Sequence, residues 1–149
     1  MKLHHVQVAC ARGTEDVARR FYAEGLGLSE VEKPEDLRPK GGVWFRAYDP
    51  DGVVTAEIHV GVEDPFTPAL KAHPALQLDT VAELEEVARR LVDLGFAVDW
   101  SQRHNFPGNE RCHTADGHGN RVELLAPASH PPARSQRSTG ISSRTRGPS

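Results

Sequence analysis

The stretch Leu3-His4-His5-Val6-Gln7-Val8-Ala9 decides the fold, because its pattern returns later in the chain as His73-Pro74-Ala75-Leu76-Gln77-Leu78. In both stretches a histidine precedes a short run of alternating apolar and polar residues. Such alternation indicates a β-strand with one buried face. An internal repeat determines the architecture of the whole chain, so the rest of the sequence is expected to follow this duplication.

Three further landmarks recur in the same order as the strands. Their separations agree within about four residues, so only small insertions distinguish the two copies. The landmarks are Val17-Ala18-Arg19-Arg20-Phe21 with Val87-Ala88-Arg89-Arg90-Leu91, the turn Asp49-Pro50-Asp51-Gly52 with Asp116-Gly117-His118-Gly119, and Glu57 with Glu123.

Each copy reads as a strand, a helix and three more strands. In the first copy Thr14 is the expected N-cap of the helix, and Gly25 or Gly27 ends it. In the second copy Thr80 and Glu83 form a capping box. The predicted strands are 3–9, 29–33, 43–48 and 53–62, then 73–79, 96–100, 110–115 and 120–126, and the predicted loops include 34–42 and 101–109. The sequence therefore predicts an α+β fold of two tandem βαβββ modules, about 1–63 and 70–128, within one domain of residues 1–128.

Composition is that of an ordinary soluble domain. Hydrophobic residues make up 38% of the 149 residues and charged residues 26%. No apolar run approaches the ~18 residues of a membrane span, and the polar N-terminus does not resemble a secretory signal. Cys10 and Cys112 lack metal-type spacing, so we expect reduced core thiols, a cytoplasmic location and no membrane partner.

The segment 129–149 differs from the rest in charge. It contains four arginines and no acid, whereas all 21 acidic residues lie in the first 128. An acidic body argues against nucleic acid as the main partner. The Arg-, Ser- and Pro-rich tail cannot bury enough apolar surface to fold alone, so it is predicted to be disordered.

Polar residues able to do chemistry collect on one face of each predicted sheet. A helix covers the opposite face, against which the apolar half of each strand packs. Through the repeat, Trp44 and Arg46 match Arg111 and His113. The residues expected on the face without helices are His5, Gln7, Trp44, Arg46, Glu57, His59, His73, Gln77, Arg111, His113 and Glu123.

Two histidines and two glutamates of this face occupy positions that the repeat relates. His5 and His73 open the first strands, and Glu57 and Glu123 lie on the last strands. Two neutral imidazoles and two carboxylates suit a divalent ion such as Fe, Mn, Co, Ni or Zn. Four protein ligands leave positions open for substrate or water. The pattern therefore predicts a metal site.

These residues resemble the vicinal oxygen chelate superfamily, which includes glyoxalase, bleomycin-resistance, fosfomycin-resistance and extradiol dioxygenase proteins. The resemblance is carried by His5-Val6, Phe21-Tyr22 with Leu26-Gly27-Leu28, His73, and Gly119-Asn120-Arg121-Val122-Glu123-Leu124, and it runs from about residue 3 to 127. It implies curved mixed sheets that enclose a concave metal and substrate site. By position, the metal ligands fall on His5, Glu57, His73 and Glu123, although His59 competes with Glu57 for the ligand role.

The resemblance implies a metal-dependent lyase or isomerase that acts on a small oxygen-chelating substrate. Glu123 or Glu57 would move the proton. The site could be closed by the two modules of one chain or by modules from the two chains of a homodimer. The residues expected to bind substrate are Trp44, Arg46, His59, Arg111 and His113. The alternatives are a module of bleomycin-resistance type that sequesters a drug without chemistry, and a small extradiol-type dioxygenase.

Overall fold

The computed structural model describes residues 1–128, so the tail predicted to be disordered lies outside the described residues. The strands of the first half are β1 (Val6–Cys10), β2 (Ser29–Val31), β3 (Val43–Tyr48) and β4 (Val54–Val62). Those of the second half are β5 (Ala75–Gln77), β6 (Val98–Asp99), β7 (Asn109–Ala115) and β8 (Arg121–Pro127). The helices are α1 (Glu15–Ala18), which continues as a π-helix over Arg19–Gly25, and α2 (Val81–Asp93).

The eight strands form two four-stranded sheets with the same topology. Their orders are β1-β4-β3-β2 and β5-β8-β7-β6. In each sheet the first strand pairs in parallel with the last, and the other pairings are antiparallel. This arrangement confirms the α+β fold of two βαβββ modules with mixed sheets.

The core lies between the helices and one face of each sheet. Phe21, Tyr22 and Leu91 contribute from the helical segments, and Ile58 and Leu124 from the central strands. Ile58 and Leu124 follow Glu57 and Glu123 in sequence, and successive side chains of a strand point to opposite faces. Burial of the apolar residues on the helix side therefore places both glutamates on the other face.

The predicted helix starts differ in outcome. Thr80 caps α2, because its hydroxyl accepts a hydrogen bond from the Glu83 backbone N–H at 3.2 Å. Thr14 is the N-cap residue of the first helix, as predicted, but its side chain makes no capping hydrogen bond. The Thr14 hydroxyl instead donates to the carbonyl oxygen of Ala11 at 2.6 Å and lies 2.9 Å from His118 Nε2. The Thr14 hydroxyl thus contacts the second module instead of making a capping hydrogen bond.

Three other local predictions need correction. The segment 34–42 was expected to be a loop, but Glu35–Lys40 forms a 3₁₀-helix. Strand β5 covers only three residues and β6 only two, so the predicted strands 73–79 and 96–100 are too long. No helix within residues 1–128 has the length and apolar character needed to cross a bilayer.

Candidate metal and substrate site

Glu57 is the centre of the polar cluster on the first module. Its Oε2 accepts a hydrogen bond from Arg46 Nε at 2.8 Å, and its Oε1 lies 2.7 Å from His59 Nε2. Strand register explains these contacts, since Arg46 lies directly across from Glu57 and His59 follows two residues later on the same face. Both carboxylate oxygens therefore have a cationic or imidazole partner.

Three flat rings stack beside Glu57. The His59 ring is parallel to the Trp44 ring, with centroids 3.7 Å apart and an interplanar angle of 2°. On its other side His5 stacks at 4.1 Å and 18°. Trp44 and His59 are cross-strand neighbours in the β3–β4 register. The stack fixes the orientation of His59 toward Glu57.

Glu123 is the corresponding centre on the second module. Its Oε1 accepts a hydrogen bond from Arg111 Nη1 at 3.0 Å. Its Oε2 lies 3.1 Å from His73 Nε2 and 3.5 Å from His113 Nε2. The carboxylate therefore uses one oxygen for the arginine and presents the other to two histidines.

The loop between β6 and β7 holds Arg111 in place. Asn105 Oδ1 accepts hydrogen bonds from Arg111 Nη2 at 2.7 Å and from its Nε at 3.0 Å. Gln102 Oε1 accepts another from Nη2 at 3.0 Å. The sequence pattern gave no role to residues 101–109, because a loop without periodicity does not reveal which strand residue it contacts.

The pKa values of both glutamates are lowered, although burial acts in the opposite direction. For Glu57, burial raises the pKa, but hydrogen bonds from Arg46 and His59 outweigh it. For Glu123, burial likewise raises the pKa, and hydrogen bonds from Arg111 and His73 outweigh it. Both side chains are therefore carboxylates at neutral pH, which is the form that binds a cation or accepts a proton.

Burial favours the neutral form of the two deeply placed histidines. Burial lowers the pKa of His59, partly offset by the contact with Glu57. It also lowers the pKa of His113, with Arg121 acting in the same direction and Glu123 against it. A neutral imidazole has a lone pair available for a metal.

The repeat relates the glutamates correctly but not the histidines. Arg46 lies opposite Glu57, and His113 lies opposite Glu123, as the matched positions predicted. Ala75, however, is the residue level with Glu123. In the first module Val6 is level with Ile58, so His5 precedes Val6 as Glu57 precedes Ile58. His73 lies two residues before Ala75, so its register differs from that of His5 by two positions.

An open cleft of about 770 Å³ runs beside the first strands of both modules. His5, Glu57 and His73 line it, so it joins residues of both polar clusters. Its remaining wall includes the apolar side chains of Leu26, Leu28, Leu76 and Leu78. The volume falls within the range of small-molecule sites, about 300–1,000 Å³.

A comparison with known families identifies the architecture. The sequence profile of the Glyoxalase/Bleomycin resistance protein/Dioxygenase superfamily matches residues 2–124. The chain belongs to this superfamily. The match covers both sheets and both polar clusters, which confirms the resemblance to glyoxalase-like proteins inferred from the sequence. No curated protein matches the chain.

Solved structures of glyoxalase-like proteins share the fold. A glyoxalase family protein from Bacillus anthracis is 36% identical, with a TM-score of 0.73 over 85% of this chain and 95% of that one. The glyoxalase family protein from Enterococcus faecalis is 21% identical, with a TM-score of 0.59 over 83% and 96%. The fosfomycin resistance protein FosX from Listeria monocytogenes is 17% identical, with a TM-score of 0.61 over 85% and 93%. At these lower identities the likeness concerns the fold.

The donor groups of this glyoxalase-like chain fit a divalent metal, the usual cofactor of the superfamily. His73, His113 and Glu123 each offer a ligand atom within 4.8 Å of the others. Within residues 1–128, the other two expected ligands, His5 and Glu57, do not belong to this group. The sequence pattern assigned His113 to substrate binding, since an alternating strand does not show which of its polar residues reaches a neighbour's carboxylate.

Proposed function

We propose that this glyoxalase-like chain is a divalent-metal-dependent enzyme, a lyase or isomerase, that acts on a small substrate with two neighbouring oxygen atoms. The observation that carries the proposal is the convergence of His73 and His113 on one oxygen of Glu123. Neutral imidazole and carboxylate are the ligand types of Fe, Mn, Co, Ni and Zn. A 770 Å³ cleft at His73 provides room for the substrate.

The ion would be held by His73 and Glu123, with His5 and Glu57 completing the set that the resemblance implies. His5 and Glu57 line the same cleft as His73, which supports their contribution. When bound, a divalent ion supplies a Lewis acid that polarises substrate oxygens. Proton transfer and the orientation of the substrate would be carried out by side chains of the protein.

The two carboxylates are the proposed proton carriers. Glu57 and Glu123 are ionised at neutral pH, as their lowered pKa values indicate. A carboxylate within hydrogen-bond reach of a substrate C–H or O–H can accept its proton. Arg46 and Arg111 hold the two carboxylates by hydrogen bonds at 2.8 and 3.0 Å, which keeps the bases oriented.

Substrate would contact the ring stack and the arginines that lie beside the two glutamates. Trp44 and His59 provide a rigid aromatic surface, and the guanidinium groups of Arg46 and Arg111 would favour an anionic substrate. The His113 ring is only 6% exposed, so a substrate would reach it only from inside the polar cluster around Glu123. We propose a homodimer, in which a second copy of the chain would cover the open cleft.

A binding module without chemistry is the second candidate, and the apolar cleft wall favours it. Leu26, Leu28, Leu76 and Leu78 line the cleft, and apolar surface of this kind suits a drug-sized molecule. Such a module would bind its ligand without metal.

Thermal unfolding of metal-stripped protein, titrated with Mn²⁺, Fe²⁺, Ni²⁺ and Zn²⁺, tests the proposal. An ion that binds only the native state must raise the unfolding temperature by mass action. The metal-loaded protein would then be screened with 2-oxoaldehyde–thiol adducts, epoxides and catechols, while its mass in solution reports the dimer. No shift with any ion, together with tight metal-independent binding of bleomycin-like drugs, would make the binding module correct.

A further inference from the structure

We propose that a groove on the exposed side of α2, here called the outer groove, binds a segment of the same chain, Pro131-Pro132-Ala133-Arg134, which follows the last strand. The outer groove has a volume of about 350 Å³ and is lined by Glu85, Ala88, Arg89, Val92, Trp100 and Arg103. None of these residues lines the cleft beside Glu57, so the inference does not depend on the proposed function.

The outer groove offers an aromatic and apolar surface. Ala88 and Val92 contribute from α2, and the Val92 side chain is 56% exposed. The Arg103 guanidinium lies over the Trp100 ring, 4.7 Å from its centroid, and both side chains line the groove. An aromatic side chain beside small apolar ones is the kind of surface that binds proline-rich segments.

The described part of the chain ends close to this groove. Strand β7 lies between β6 and β8 and pairs antiparallel with both. The C-terminal ends of β6 and β8 therefore lie at the same end of the sheet, two strand spacings or about 10 Å apart. Trp100 directly follows β6. The backbone N–H of Ala128 donates to the carbonyl oxygen of Gly108 at 2.9 Å, in the loop that also carries Arg103.

The residues that follow Ala128 are long enough and have a suitable composition to reach the groove. Residues 129–132 can span up to about 14 Å when extended, which exceeds the separation of the two strand ends. Proline fixes φ near −65°, so Pro131-Pro132 favours the extended polyproline conformation. A preformed extended segment loses little conformational entropy on binding.

The two arginines of the outer groove already have carboxylate partners. Arg89 Nη1 donates to Asp93 Oδ2 at 2.7 Å. Arg103 Nε donates to Glu110 Oε2 at 2.6 Å, and its Nη2 donates to Glu85 Oε1. Three carboxylates therefore accompany two guanidinium groups, which leaves a net negative charge at the groove.

This charge is complementary to that of the proposed occupant. Residues 129–149 contain four arginines and no acid, and Arg134 comes two residues after the proline pair. The Glu85 side chain is 52% exposed, so its carboxylate is accessible to Arg134. An exposed ion pair contributes only about 0.2–1 kcal/mol. Arg134 would therefore orient the segment, while the prolines make the main contact with Trp100.

Attachment to β8 compensates for the small size of the contact. A segment linked by a few residues has an effective concentration in the mM range. A dissociation constant of about 1 mM, which corresponds to only about −4 kcal/mol, then gives docking in roughly half of the molecules.

The outer groove shares a loop with the candidate site. Arg103 lines the groove, whereas Gln102 and Asn105 of the same loop accept hydrogen bonds from Arg111 at 3.0 and 2.7 Å. A segment docked against Arg103 would restrain the loop that holds Arg111. The tail would thus act on the site without contacting it.

Acrylamide quenching of Trp100 in the full chain tests the docking. Trp44→Phe leaves Trp100 as the single tryptophan. In this background Pro131→Gly/Pro132→Gly should raise the quenching constant by about twofold, because half of the rings lose their cover. Pro148→Gly is the matched control, since Pro148 is the remaining proline of residues 129–149, and it should leave the constant unchanged.

Repeating the measurement at several protein concentrations distinguishes the occupants. Docking within one chain gives a quenching constant that is independent of concentration. A constant that falls as concentration rises would assign the groove to a second copy and overturn the inference. Equal constants for the parent, the double variant and the control would overturn it as well.

Circular dichroism checks that Trp44→Phe preserves the fold. If it does not, hydrogen–deuterium exchange of loop 101–108 in chains that keep Trp44 replaces quenching. Faster exchange in the Pro131→Gly/Pro132→Gly variant alone would support the docking, and equal exchange in all three chains would overturn it. Neither measurement depends on metal binding or turnover, so failure of this inference leaves the proposed function standing.

Discussion

The Tyr22 hydroxyl of the first module donates a hydrogen bond to Asp116 Oδ2 of the second module at 3.0 Å, and both side chains are buried. Asn120 extends this contact, because its Nδ2 donates to Asp116 Oδ2 at 2.9 Å and to the carbonyl oxygen of Ala9 at 2.7 Å. These hydrogen bonds hold the β7–β8 turn of the second module against strand β1 and the helical segment of the first module.

Replacement of Tyr22 by Phe should reduce the free energy of unfolding by about 1.5–3 kcal/mol. This is the range for a hydrogen bond to a charged group, and the ring itself remains to fill the core. Urea unfolding followed by circular dichroism measures the change. The control is Tyr48→Phe, since Tyr48 is 45% exposed; equal stability of the two variants would contradict the role given to the Asp116 contact.

Gly117, in the same turn, allows a second test of the packing between the two modules. A Cβ at this position would lie 2.1 Å from Val17 Cγ1, and a β-branched valine has little freedom to rotate away. Gly117→Ala should therefore destabilise the protein by about 1–3 kcal/mol, as overpacking does.

Val17→Ala removes the clashing methyl group, so the double variant Gly117→Ala/Val17→Ala should recover most of the lost stability. A double-mutant cycle by urea unfolding isolates this coupling. Additive effects of the two substitutions would show that the turn does not pack on α1 as described.

The sequence predicted the fold, but it did not predict every side-chain contact in the candidate site. Alternation and the repeat predicted the two modules, and they placed Glu57 and Glu123 on the face away from the helices, because burial of Ile58 and Leu124 leaves no other choice. They did not predict the contact of His113 with Glu123 or the loop contacts of Arg111. Those contacts depend on which residues lie level in the sheet, and the two-residue offset between His73 and His5 shows that the repeat alone does not give the register.

The two cysteines should be unreactive in the native protein. Cys10 and Cys112 are free and buried. Burial raises the pKa of both thiols, that of Cys112 to about 12, whereas the thiolate is the reactive form. At pH 8 we expect no reaction with Ellman's reagent in the folded state and two equivalents after denaturation. Rapid reaction of either thiol in the folded protein would contradict its burial.

The fluorescence of Trp44 should report the protonation of His59. The two rings are parallel at 3.7 Å, and a protonated imidazole in contact with an indole quenches its fluorescence. Trp100→Phe leaves Trp44 as the single tryptophan of the chain. In this background the emission of Trp44 can be followed as the pH is lowered.

Burial lowers the pKa of His59 from its ordinary value of 6.5, with Glu57 opposing and His5 assisting the shift. The folded protein therefore takes up this proton at lower pH than the unfolded chain, so stability falls as the pH drops below 6.5. We expect quenching to have its midpoint below pH 6.5 and to coincide with a loss of stability in urea. His59→Phe in the same background should remove the transition, and a midpoint above 6.5 would show that Glu57 dominates over burial.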